Sequence, residues 1–201
     1  VVNAVNVPSV TGELLVRLKP FLELGDRIGC LMPQLLKGAL KEVAVEYTGD
    51  FQGLDLSPVT TAILKGLLTP TVKDDVNSVN APILAKARGI RLSSHHTQDA
   101  GRFSSLLTLS GKHSVAGTVS FGCELRLVAL DGYEVDLAPA ANMLVSRPQD
   151  GPGAIGLVGG TLGEADINIG NMHLGRSDKH AQKRIVAVVA FVLFLRRRHD
   201  G

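Results

Sequence analysis

Gly151, Gly153 and Gly156, in the run DGPGAIGLVGG, have the G-x-G-x-x-G spacing of a dinucleotide-binding turn. Such a turn brings backbone N–H groups up to a pyrophosphate at a helix start. It works inside a parallel βαβ unit, with an acidic residue about 20 positions further on. The surroundings here differ. Pro152 restricts the backbone inside the turn, few residues follow for further βα units, and Asp178, at about the right distance, sits in a polar stretch. The same residues offer another chemistry. The N–H groups and dipole of a helix start favour an anion, and Asp150 sets a carboxylate beside them. Together they match a zwitterion, with its carboxylate toward the N–H groups and its ammonium toward Asp150. Asn168, on the following strand, carries both donors and an acceptor and can bridge the two ends. The plainer alternative is that Asp150 caps the helix and Asn168 pairs with backbone.

Other reactive side chains are scattered. His95, His96 and Asp99 lie close together in SSHHTQDAG, as three metal ligands or as a solvated polar loop. His113, His173 and His180 stand alone, and Ser57, Ser114 and Ser146 lack a G-x-S-x-G elbow. Asp74 and Asp75 follow Lys73 and read as a helix start. Cys30 and Cys123 form no CxxC, which argues for a reducing compartment and against a disulfide framework or a cysteine zinc site. A net charge of +2 supplies no field for nucleic acid. The run from Ile185 to Leu195 is 11 residues long, against about 20 for a membrane-spanning helix. Closed by Arg196, Arg197 and Arg198, it reads as a buried strand, with a membrane anchor as the alternative.

The elements that must position these residues follow from periodicity. The chain has 201 residues, 45% hydrophobic and 4% aromatic, so its cores are built from Val, Leu, Ile and Ala. Helical spacing over 11–40, interrupted by Pro20 and Pro33, predicts a helix pair or one kinked helix. KEVAVEY alternates as a half-buried strand. Ser57 as cap and Pro58 in the first turn start a helix, and 74–89 predicts another, closed by Gly89. SSLLTLSGKHSVAGTVS predicts a hairpin turning at Gly111–Lys112. ELRLVALDGYEVDLA predicts a second, with Asp131–Gly132 in a type I′ turn. Beyond it the order is strand, helix, strand, strand. The N-terminus has no initiator Met and no signal peptide, which predicts a fragment.

Several stretches carry a family resemblance. MLVSRPQDGPGAIGLVGGTLGEADINIGNMHLGR resembles an ACT regulatory domain. GLDLSPVTTAILKGLL, VNSVNAPILAKARGI and GKHSVAGTVSFG resemble the intervening, or allosteric substrate-binding, domain of long-form D-3-phosphoglycerate dehydrogenases. VVNAVNVPSV resembles the end of their catalytic half.

The resemblance implies an α+β chain. Residues 1–10 end a linker, 11–131 form a mixed α/β intervening domain, and 132–201 form a βαββ, truncated ferredoxin-like ACT domain without its last helix and strand. One sheet face should then lie open and favour self-association. The resemblance implies a regulatory and assembly role in L-serine biosynthesis, with L-serine or a similar amino acid bound between paired ACT domains. The binding positions fall on Asp150 and Asn168, with Gly151 and Gly153 opening the backbone. A third falls on Pro148, which has no side-chain donor. An anion site of the intervening domain falls on Arg126, with Glu134 and Ala138 at two positions that are basic in relatives. Lys65, Lys86 and Arg88 are substitutes by charge, with solvated surface bases as the plainer alternative. NAD and the catalytic His, Glu and Arg belong to an upstream domain, so no cofactor, nucleic acid or membrane partner is expected here and the chain alone should be inactive. The expected place is the cytoplasm, or a plastid in a plant. A purely structural assembly module is the alternative.

Overall fold

The computed structural model describes residues 12–36, 38–72, 75–176 and 185–192. The chain folds as two antiparallel-dominated sheets with helices, an α+β architecture.

Helix α1, Gly12–Gln34, is continuous through Pro20 and Pro33 rather than a helix pair. Leu18, Leu24, Ile28 and Met32 recur at helical spacing and are buried, so packing holds the helix through the hydrogen bond that each proline removes. Strand β1, Glu42–Gly49, buries Val43, Val45 and Tyr47 on one face as its alternation predicts. Helix α2, Ser57–Leu68, crosses α1 closely. A Cβ on Gly29 would stand 2.6 Å from the Ile63 carbonyl, and one on Gly66 would overlap the Asp26 carbonyl. Ser57 does not cap α2. Asp55 accepts both its N–H, at 3.0 Å, and its hydroxyl, at 2.6 Å, so Ser57 is drawn into the first turn.

The helix expected over 74–89 is shorter, α3 at Ala81–Ala87. Asn77 and Asn80 accept each other's backbone N–H groups, and this side-chain turn competes with a helical start. Asp75 lies in the loop before it, and Lys73 and Asp74 fall outside the described residues. Gly89 follows α3 with φ +69°, as a C-terminal glycine should.

Strands β2 (Arg91–Thr97), β3 (Ser105–Ser110), β4 (Ser114–Val119), β5 (Leu125–Leu130) and β6 (Tyr133–Leu137) complete a six-stranded sheet. Its order is β2-β1-β3-β4-β5-β6, with β1 and β2 parallel and the other neighbours antiparallel. Asp131 and Gly132 have φ of +51° and +77°, the positive angles of the expected type I′ turn. The boundary placed at this turn falls within the β5–β6 hairpin, and the chain passes to the second sheet after Leu137.

That sheet contains β7 (Met143–Ser146), β8 (Asn168–Arg176) and β9 (Ile185–Val192), with α4 (Ala154–Glu164) between β7 and β8. The order is β7-β9-β8, antiparallel throughout. The faces are not open at β9, contrary to expectation, because Ile185 to Ala190 are all buried. Val186 and Val188 share one core with Val135 and Leu137 of the larger sheet. Strand alternation turns Ala187 and Val189 the other way, and α4, with Leu162 buried, packs against β8. The stretch after Val192 and His180 lie outside the described residues, as does the linker expected at 1–10.

Candidate functional site

The glycine run begins in the turn between β7 and α4, as a ligand-binding turn requires, and continues into the first turns of α4. Gly153 is the N-cap of α4 and has φ +86°. Its sheet, however, is antiparallel, and β9 fills the slot beside β7 where a parallel partner would lie. The residues do not fit a dinucleotide.

Asp150 is half-buried and Asn168 is exposed. They lie at opposite ends of the three-stranded sheet. Asn168 pairs with Val192, whereas Ile185, seven residues back along β9, donates its N–H to the Pro148 carbonyl at 3.3 Å. At about 3.3 Å per residue the two ends are roughly 23 Å apart. One chain therefore does not bring these two side chains onto one small ligand. Strand β8 is an edge strand, and its far end, Arg176, pairs with Ile185 at the level of Pro148.

Just before the loop lies a cluster that the sequence did not flag. Asp131, in its left-handed turn, accepts the Ser114 N–H at 2.8 Å, contacts His113 Nδ1 at 2.8 Å and pairs with Arg147. Burial alone would raise the Asp131 pKa. The bonds from Ser114, His113 and Arg147 outweigh it, and the carboxyl is held below its ordinary value. Arg147 is three residues from Asp150, so this contact ties the candidate loop to the larger sheet.

Arg126 lines a cavity of about 670 Å³ with Arg102, Phe103, Phe121, Glu134 and His173. Its guanidinium is engaged by Asp136, at 2.6 Å from Nη2 and 2.8 Å from Nε. Arg102 reaches Glu134 at 3.4 Å. An entering phosphate would meet two carboxylates and would have to displace one of them. Ala138 is not among the lining residues. Lys65 pairs with Asp26 at 3.1 Å across α1 and α2, and Lys86 and Arg88 are exposed around the end of α3. These bases do not converge with Arg126.

The SSHHTQDAG stretch is not simply a loop. Its first half is edge strand β2, where His95 and His96 point to opposite faces. His96 stacks on Tyr47 with ring centroids 5.3 Å apart, and Asp99 accepts the Gly101 N–H at 2.9 Å. Among the described residues, no group of three or more His, Cys, Asp or Glu is placed to hold a metal ion. Ser57, Ser114 and Ser146 are likewise dispersed over α2, β4 and β7. No helix among the described residues is long and apolar enough to cross a membrane.

Residues 17–131 match the family described as the D-3-phosphoglycerate dehydrogenase intervening domain. Over 89% of its length the chain is 34% identical to a D-3-phosphoglycerate dehydrogenase of Bacillus subtilis, covering 35% of that protein. It is 34% identical to that of Archaeoglobus fulgidus, over 87% of this chain and 34% of the relative. It is 31% identical to the chloroplastic D-3-phosphoglycerate dehydrogenase 2 of Arabidopsis thaliana, over 87% of this chain and 31% of the relative. The chain thus spans about a third of the length of the curated relatives it matches.

Proposed function

Since the chain belongs to the D-3-phosphoglycerate dehydrogenase intervening-domain family, we propose that it is the regulatory and assembly portion of an NAD-dependent 3-phosphoglycerate dehydrogenase of L-serine biosynthesis. In this reading it senses L-serine where the smaller, ACT-like sheets of two copies meet. NAD binding and hydride transfer fall to another part of such an enzyme. Its place of action is the cytoplasm, or a plastid.

One observation carries the reading. Asp150 follows β7 at one end of the sheet, and Asn168 opens β8 at the other, on an edge strand. Two edge strands related by a twofold axis pair antiparallel. Pairing β8 with its copy sets Asn168 of one chain at the level of Arg176, and so of the 148–153 loop, of the other. The carboxamide then lies at the same end of the joined sheet as the partner's Asp150 and α4 start, which follow β7, two strands over from β8. A small zwitterion held at that end would turn its ammonium toward Asp150 and its carboxylate toward the α4 start, with Asn168 bridging.

Calorimetric titration with L-serine tests this. Heat is expected with the native sequence and is lost in Asp150→Ala and in Asn168→Ala. Absence of heat with the native sequence, or equal heat in Asp150→Ala, sinks the sensing reading. A second reading, assembly without sensing, is favoured by Pro148. Its carbonyl is committed to Ile185 and its ring offers no donor to a ligand.

A further inference from the structure

Phe121 is fully exposed, at 102% of its reference area, the highest value among the described large hydrophobic residues. It is not on a loose loop. It begins a single 3-10 turn, Phe121–Cys123, in which Gly122 and Cys123 both have positive φ, +79° and +64°. The turn is closed by the Ser120 N–H on the Glu124 carbonyl at 2.9 Å and the Cys123 N–H on the Ser120 carbonyl at 3.1 Å. A cysteine held in a left-handed conformation is strained, and such strain persists where the surroundings impose it. The turn therefore holds the backbone at Phe121, whose side chain stands in solvent. The ring forms part of the wall of the open cavity of about 670 Å³, whose apolar lining also includes Phe103, Val119, Val128 and Val135.

We propose that Phe121 and this cavity form an isologous interface, in which each ring enters the cavity of a second copy of the chain. Knob and hole lie on the same surface, as a twofold contact requires. The rim supports the same occupant. Its four charged side chains are two cations and two anions, Arg102 with Glu134 and Arg126 with Asp136. A rim of one sign would repel its own copy, whereas this balanced rim can exchange partners across the twofold axis. Because each charge is already paired, the wall offers no free ion to a charged small molecule. A buried aromatic anchor ringed by polar groups is the usual energetic centre of a protein interface. The proposal is independent of L-serine.

Sedimentation of the full chain over a concentration series tests it. Phe121→Asp removes the knob. Ser104→Trp, at an exposed cavity-lining position, blocks the hole. Each is expected to weaken self-association about tenfold or more with an unchanged melting temperature, and Phe121→Leu to restore most of it. The effect should be equal with and without saturating L-serine and should survive in Asp150→Ala. A native chain that stays monomeric up to about 100 μM overturns the proposal, as does self-association left intact by both variants. Loss of the serine response alone would leave this interface standing and would count only against the sensing reading.

Discussion

At the residue scale the chemistry of Asp131 has the clearest consequence. Its carboxylate satisfies a backbone N–H of β4, the ring of His113 and the guanidinium of Arg147. All three bonds favour the ionised form, which is why the carboxyl stays below its ordinary pKa although burial, the largest single influence, opposes this. A carboxyl depressed in the folded state contributes stability that is complete above the unfolded value, near 3.9, and is lost as pH falls through the lower folded value. Asp131→Asn is the informative variant, since asparagine tolerates the +51° φ of this turn and so removes the charge without straining the backbone. We expect a loss of about 1–3 kcal/mol near pH 7. The difference from the native chain should shrink as the medium is acidified below about pH 4. Urea denaturation at several pH values measures it, and a pH-independent difference would show that charge is not what Asp131 contributes. The cluster was invisible in the sequence because its members are 113, 131 and 147. Only the hairpin turn at 131 was legible, and its side-chain partners come from two other elements.

At the level of elements, the glycines separate by what they do. Of the fingerprint trio, Gly153 alone needs its freedom, with φ +86°, whereas a Cβ at Gly151 or Gly156 meets nothing within 4 Å. Gly156 sits inside α4, where alanine is the better helix former. Gly156→Ala should therefore stabilise the chain by about 0.5–1 kcal/mol. Gly153→Ala should cost about 1–2 kcal/mol through its left-handed backbone. Thermal melts of the two variants test this, and opposite signs are the expected result. Gly66 is required for the other reason. Its missing side chain lets α2 approach α1 at Asp26 and Cys30, so Gly66→Ala should force the helices apart and cost about 1–3 kcal/mol by denaturant unfolding. The strands that alternate, β1, β3 and β6, were legible because one face is buried. Strand β2 was only half-legible, since its polar residues from Ser93 to Thr97 are all exposed and give no alternation. The α3 start was misread because Asn77 and Asn80 bond locally, which hydrophobic spacing does not register.

The whole molecule couples what the sequence keeps apart. Charge chemistry singled out Asp150 and Asn168, but β7 and β8, each antiparallel to β9 and joined through α4, run parallel, which sets the two residues at opposite ends of the sheet. That β9, later in the chain, inserts between β7 and β8 is encoded by no local pattern. The same strand also joins the two sheets, because Val186 and Val188 pack in one core with Leu127, Val135 and Leu137. A shared core makes the sheets one cooperative unit rather than two. Val188 is 1% exposed, and Val188→Ala should remove about 1.5–3 kcal/mol of burial. If the core is shared, that loss appears in both sheets. Hydrogen exchange of β5 and β6 amides should speed up together with that of β7 and β8, and denaturant unfolding should remain a single transition. Faster exchange confined to β7, β8 and β9 would instead mean that the small sheet opens alone. That outcome would remove the route by which binding at its edge could reach the larger sheet, because coupling between sites requires an element whose stability both of them share.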